Sequence, residues 1–127
     1  MKMESKKDLI VTIVKRGRSE VVVSSSVEAG ATGGTIIFGR GTGIHERQKI
    51  LGISVEPEKE IVFTVVDAEA TDRIVDAIVK GAELETPCMG ILFVIPLSQV
   101  KGIVHLLQCE EKEHEHDEEC ECHEDEE

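Results

Sequence analysis

The chain has 127 residues, 40% hydrophobic and 31% charged, which suits one domain with a single core and excludes a two-domain enzyme. Aromatic residues make up 2%, all of them Phe, so the core is aliphatic, and stacking platforms for single-stranded nucleic acid and aromatic cages for cations are excluded. The formal charge of -12 is local: after Gln108 there are twelve acids against one Lys, leaving fourteen acids against thirteen bases in the body.

A near-neutral body with an acidic end lacks the basic face that phosphate contacts require, which argues against nucleic-acid binding. No apolar run has the length of a membrane helix. The Lys-rich start before Asp8 is followed by only six apolar-dominated residues, too few for a secretory signal. The expected compartment is the cytoplasm, where the four Cys read as thiols or metal ligands rather than disulfides.

Leu9 to Val14 is a short apolar run with the character of a central strand buried on both faces. Ser19 to Gly30 is ambiguous: Val21, Val22 and Val23 favour a strand, whereas Val23 and Val27 have the i, i+4 spacing of a helix face. Gly30, Gly33 and Gly34 mark a turn before a second strand, Thr35 to Phe38, which runs into Gly39-Arg-Gly-Thr-Gly43. A loop from Ile44 to Lys59 follows.

Ile61 to Val66 reads as a third strand, with Asp67 as N-cap of a helix from Ala68 to Lys80. Ala70, Ile74, Val75, Ala77 and Ile78 form its apolar stripe, and Glu69, Asp72, Arg73 and Asp76 face water. Gly81 stands where a C-cap belongs. Ile91 to Ile95 is a fourth strand closed by Pro96, and Ser98 caps a short last helix carrying Val100, Ile103, Val104 and Leu107. With the ambiguous segment helical, the fold class is α+β: a ferredoxin-like βαββαβ sandwich with one bare sheet face, which small domains bury by oligomerising.

The stretch Gly30-Ala-Thr-Gly-Gly-Thr-Ile-Ile-Phe-Gly-Arg-Gly-Thr-Gly43 resembles the helix-to-strand entry of the nitrogen-regulatory PII signalling family, roughly G-x-x-G-x-T-V-x-x-V-[KR]-G-x-G, without a gap. The resemblance continues through Glu60 to Asp67, Asp72 to Lys80 and Gly90 to Pro96, and covers most of residues 8 to 107. It implies a trimer with small effectors in the clefts between subunits. It also implies a loop after strand two that docks on a transporter or an enzyme.

Independently of the family, backbone that approaches a phosphate closely needs positions without Cβ, and consecutive N–H groups then form an anion nest. The resemblance places Gly41 and Gly43 at the family's nucleotide cleft and keeps its Gly90, and with Gly39, Arg40 and His45 these are the candidate cofactor-binding residues, for an adenine nucleotide or a similar anion. The alternative is that Gly39, Gly41 and Gly43 only let a strand leave the sheet.

The sequence also departs from the family. ATP-binding members carry T-G-x-x-G-D-G-K before strand four, where this chain reads Leu84-Glu-Thr-Pro-Cys-Met-Gly90-Ile91. Ile91 takes the place of the phosphate-binding Lys, and Gly102 and Val104 stand where two arginines are expected, so a triphosphate loses most of its counter-charge. The loop after strand two is shorter than in the nitrogen sensors, and with no Tyr in the chain uridylylation of a loop Tyr is impossible. The resemblance is thus to a divergent PII-like protein that binds adenine nucleotides weakly. His45, Arg47 and Lys49 either replace the missing cations or are a solvated run, and Cys88 reads as a buried structural thiol or as a cleft residue beside His45.

Cys109, His114, His116, Cys120, Cys122 and His123 lie within fifteen positions among carboxylates. Thiolates with imidazoles suit Zn, Ni or Cu, but the H-x-H and C-x-C-H spacing is not that of a zinc finger. The expected division is a PII-like domain over 1–108 and a disordered acidic Cys/His-rich tail over 109–127. No catalytic constellation stands out. The functional expectation is a non-enzymatic regulator, a homotrimer controlling a membrane transporter or metabolic enzyme through loop 43–59. The alternative is a metal sensor or a storage and delivery protein acting through the tail.

Overall fold

The computed structural model describes residues 6–41, 48–50, 53–55 and 57–102, with side chains at 6–41 and 57–102. Strand β1 (Lys7–Lys15) leads into helix α1 (Ser19–Glu28) and strand β2 (Thr35–Arg40). A small hairpin, β3 (Gln48–Ile50) and β4 (Ile53–Val55), precedes the long strand β5 (Glu58–Asp67). A single 3-10 turn (Ala68–Ala70), helix α2 (Thr71–Gly81) and strand β6 (Gly90–Leu97) complete the order.

The four long strands form one antiparallel sheet ordered β2-β5-β1-β6, the ferredoxin-like arrangement. Side chains alternate across it. Ile10, Val14, Val62 and Val66 point to one face, where they pack with Val22, Ile74 and Ile78 of the helices into the core. Leu9, Val11 and Ile13 point to the other face, beside Ile61, Phe63 and Val65 of β5 and Ile91, Phe93 and Ile95 of β6 by register. No described element covers that face; Phe63, Ile91, Phe93 and Ile95 are exposed.

The ambiguous segment is helical, with Ser19, Val22 and Ser26 buried; of the expected pair, Val23 packs against the core and Val27 is 46% exposed. The helices run antiparallel and are fastened at both ends. Arg18 Nη2 donates to the carbonyl of Ala82, the C-cap of α2, at 2.8 Å, and Arg73 Nε donates to the carbonyl of Ala29, the C-cap of α1, at 2.8 Å. Each arginine supplies a cation to carbonyls that a helix end leaves unpaired.

Several boundaries differ from expectation for identifiable reasons. Asp67 makes no side-chain cap; it pairs with Lys7, and the Thr71 hydroxyl donates to Asp8 at 2.6 Å as α2 begins. Gly81 is the last helical residue rather than a cap, and a Cβ there would lie 1.9 Å from Ser25 Oγ, so its absence lets the helices approach. Pro96 lies inside β6, which tolerates it as an edge strand. The segment from Ser98 to Gly102 is not helical, and the rest of the expected last helix lies outside the described residues. The expected loop from Ile44 to Lys59 contains the β3–β4 hairpin and the start of β5.

Candidate functional site

β2 is an edge strand, and every residue of it except Gly39 is exposed. Beyond Arg40, the Gly41 N–H donates to the Pro57 carbonyl at 3.1 Å, which brings together the two ends of the excursion from 42 to 56. Beside this closure lies a cavity of about 480 Å³ lined by Arg16, Phe38, Gly39, Arg40, Glu58 and Lys59.

Register explains why these residues meet. Phe38 sits opposite Glu60, Gly39 opposite Lys59 and Arg40 opposite Glu58. Arg16, just past the end of β1, reaches across to donate to Glu58 Oε1 at 2.7 Å. Three cations against one carboxylate give the cavity a positive lining, and Phe38, 76% exposed, supplies an apolar wall with a π face. Such a lining can hold an anion and pack against a flat ring.

Below it, the buried Glu60 side chain caps α1, accepting the Ser19 N–H at 2.9 Å. Its carboxyl is held below the usual glutamate range, chiefly by the Ser19 hydroxyl, then by the Gly17 N–H, with burial opposing and Arg16 adding a smaller pull downward. The Thr12 and Thr64 hydroxyls, on the helix-covered face, are buried without a hydrogen-bond partner among the described residues.

The expected site residues divide accordingly. Gly39 and Arg40 line the cavity and Gly41 closes its base. Gly43 and His45, with Arg47, lie outside the described residues, as do Cys109, His114, His116, Cys120, Cys122 and His123. Lys49 falls in β3, of which the backbone alone is described. Gly90 is on β6, the opposite edge of the sheet from Gly39, so one chain does not bring the two together. Its φ of +144° and a Cβ position 2.6 Å from the Ile13 carbonyl give Gly90 a structural reason to be glycine. Gly41 has none: its φ is not positive, and a Cβ would meet Lys59 Cγ at 3.8 Å, an ordinary contact.

Cys88, expected to be buried, is exposed, at a φ of +70°. Among the described residues no group of three or more His, Cys, Asp and Glu is arranged to hold a metal. Arg16, Phe38, Glu58 and Lys59 were not singled out from sequence, because their meeting depends on the β2–β5 register. No helix among the described residues is long and apolar enough to cross a membrane.

Known proteins share this fold. The fold matches that of Arabidopsis thaliana PII, a structure with citrate bound, at a TM-score of 0.62 and 25% identity over 80% of this chain and 86% of that one. A Bacillus cereus protein related to NIF3 matches at a TM-score of 0.60 and 19% identity, over 77% of this chain and 27% of that one, a likeness of fold. No curated protein matches the sequence. The family model described as nitrogen regulatory protein P-II matches residues 7–105, the whole ferredoxin-like unit with its edge-strand cavity, and the chain belongs to that family.

Proposed function

We propose that the chain is a non-enzymatic signalling regulator that binds a small anionic effector at the end of β2 and passes its occupancy to a partner through the segment 43–59. The observation that carries this reading is the cavity of Arg16, Phe38, Gly39, Arg40, Glu58 and Lys59, placed where the chain leaves and re-enters the sheet. An effector there touches both ends of the excursion, so its binding energy acts on the conformation of the intervening segment. The partner class is a membrane transporter or a metabolic enzyme in the cytoplasm.

The effector is an adenine nucleotide bound weakly, or a compact polycarboxylate of the kind bound to the plant PII. Phe38 suits the flat base and the cations suit the anionic groups. Because Gly39 and Gly90 lie on opposite edges of the sheet, a site that uses both is made between copies. The bare apolar face favours a homotrimer, with residues 1–108 as the domain and 109–127 as a disordered tail. The test is calorimetry with ATP, ADP, AMP and citrate on the chain and on Arg40→Glu. Binding lost in the variant supports the reading, and binding of none of the four by the parent chain overturns it.

A second reading rests on the six Cys and His between Cys109 and His123, a soft donor set for Zn, Ni or Cu. In it the tail senses or carries metal and the domain is its scaffold. Titration under reducing conditions with chains that do and do not contain 109–127 decides it, since equal uptake removes the tail as the metal site.

A further inference from the structure

Two strongly charged regions of opposite sign remain to be related: the cationic cavity at one end of the sheet, and the segment after Gln108 with its twelve acids. Resting on the effector reading above, we propose that the acidic segment from Glu110 to Glu127 folds back onto the cationic rim formed by Arg16, Arg40 and Lys59 and competes there with the effector.

The rim is built for a polyanion. Three of its side chains are cationic and one, Glu58, is acidic and already paired with Arg16. Lys59 also stands directly opposite Lys15 in the β1–β5 ladder, which adds a further cation to this end of the sheet. The segment supplies twelve carboxylates in eighteen positions. The cavity and the segment therefore carry complementary charge.

Reach is sufficient. β6 runs antiparallel to β1, from Gly90 beside Val14 to Leu97 beside Lys7, so the chain leaves the sheet at the end away from the cavity. The nine residues of β1 span about 30 Å. Glu127 lies 25 residues beyond Gly102, up to about 85 Å of extended chain, so most of the acids reach the rim. Tethering makes even a weak contact count, because a flexible link gives an effective concentration in the mM range. A docking constant near 1 mM then leaves the rim occupied about half the time or more and weakens a competing anion by about 2- to 10-fold at low salt.

The segment thus sets the threshold at which effector is felt, and ionic strength shifts it, since charges separated by more than about 8 Å are screened at physiological salt. The experiment uses the full chain. A carbodiimide joins a carboxylate and an amine in contact into an amide, and mass spectrometry finds the joined peptides. Expected are amides between Lys59 or Lys15 and the segment 110–127 at low salt, lost at about 0.5 M salt and in Arg16→Glu with Arg40→Glu. Amides absent at low salt, or equally abundant at Lys6 at the opposite end of β1, overturn the proposal.

Citrate titration supplies the second readout, comparing the chain with a full-length variant whose acids from Glu110 to Glu127 are amides (Glu to Gln, Asp to Asn). A 2- to 10-fold gain in citrate affinity in the variant at low salt, vanishing at high salt, supports competition. Equal affinity at all salt concentrations overturns it. Specific amides with no citrate binding by either chain support the docking and overturn the effector reading for this anion, so the two ideas fail separately.

Discussion

The Glu60 carboxylate on β5 accepts the backbone N–H of Ser19 at the start of α1, at 2.9 Å across 41 residues of sequence. Arg18, the N-cap residue, makes no side-chain cap of its own, so the first turn is capped by the sheet beneath it. This joins the helix layer to the strand that lines the cavity. Glu60→Ala should cost about 1 kcal/mol, the usual loss for an N-cap, measured as a lower urea midpoint with unchanged slope.

The same contact sets a pH dependence. Because the Ser19 hydroxyl and the Gly17 N–H hold the Glu60 carboxyl below its ordinary range, its contribution is full above the unfolded value and is lost as pH falls through the folded one. Glu60→Gln should therefore be less stable than the parent near neutral pH, with the gap closing under acid. A gap that stays constant down to acid unfolding would show that the carboxylate charge contributes nothing.

Gly81 should not tolerate a side chain. A Cβ there falls 1.9 Å from Ser25 Oγ and 2.8 Å from Ser25 Cβ, so Gly81→Ala forces the helices apart at a cost of about 1–3 kcal/mol, despite the better helix propensity of Ala. Adding Ser25→Gly should recover most of the loss. Thermal unfolding of the single and double variants measures the coupling.

Burial without a partner predicts the opposite sign. The Thr64 hydroxyl is fully buried between Val62 and Val66 on the core face and has no hydrogen-bond partner among the described residues. Thr64→Val keeps the shape and removes the desolvated hydroxyl, and should stabilise by about 1 kcal/mol. A destabilised variant would reveal an ordered water on that hydroxyl.

Local patterns carried the strands and α2: the Leu9 to Val14 run and the Ile74 and Ile78 stripe lie where periodicity places them. They failed where a distant partner decides. Asp67 looks like a cap from its neighbours, but Lys7 is 60 residues away and takes its carboxylate. Gly81 looks like a helix stop, yet its reason is Ser25 on the other helix. The cavity was half legible, because Gly39 and Arg40 belong to a motif, whereas Arg16 and Glu58 meet only once strand register is fixed.

Gly41 separates fold from function. Its backbone conformation and surroundings accept a Cβ, so Gly41→Ala should change stability by less than about 0.5 kcal/mol. If an anion approaches the backbone there, the same change should weaken effector binding several-fold. Weak binding with little preference for ATP over ADP is expected, since Ile91 and Gly102 supply no charge where ATP-binding relatives carry cations. Tight, magnesium-dependent ATP binding in calorimetry would show that Arg16, Arg40 or Lys59 has taken over that role.

The bare sheet face sets the last expectation. Leu9, Val11, Ile13, Ile61, Phe63, Val65, Ile91, Phe93 and Ile95 make an apolar surface across three strands without a polar interruption. A face of that kind in water drives association, and the proposed homotrimer buries it. Light scattering at micromolar concentration should give three times the chain mass. Phe63→Asp with Phe93→Asp places two charges on exposed positions that flank Val11 on this face, where they cost little in the single chain but are not tolerated in an apolar interface. The double variant should scatter as a folded monomer. If the trimer uses a site built from both sheet edges, this variant should also lose effector binding while its cavity residues are intact. A trimeric double variant would place the interface elsewhere on the surface, and a monomeric parent chain would remove the between-copies site altogether.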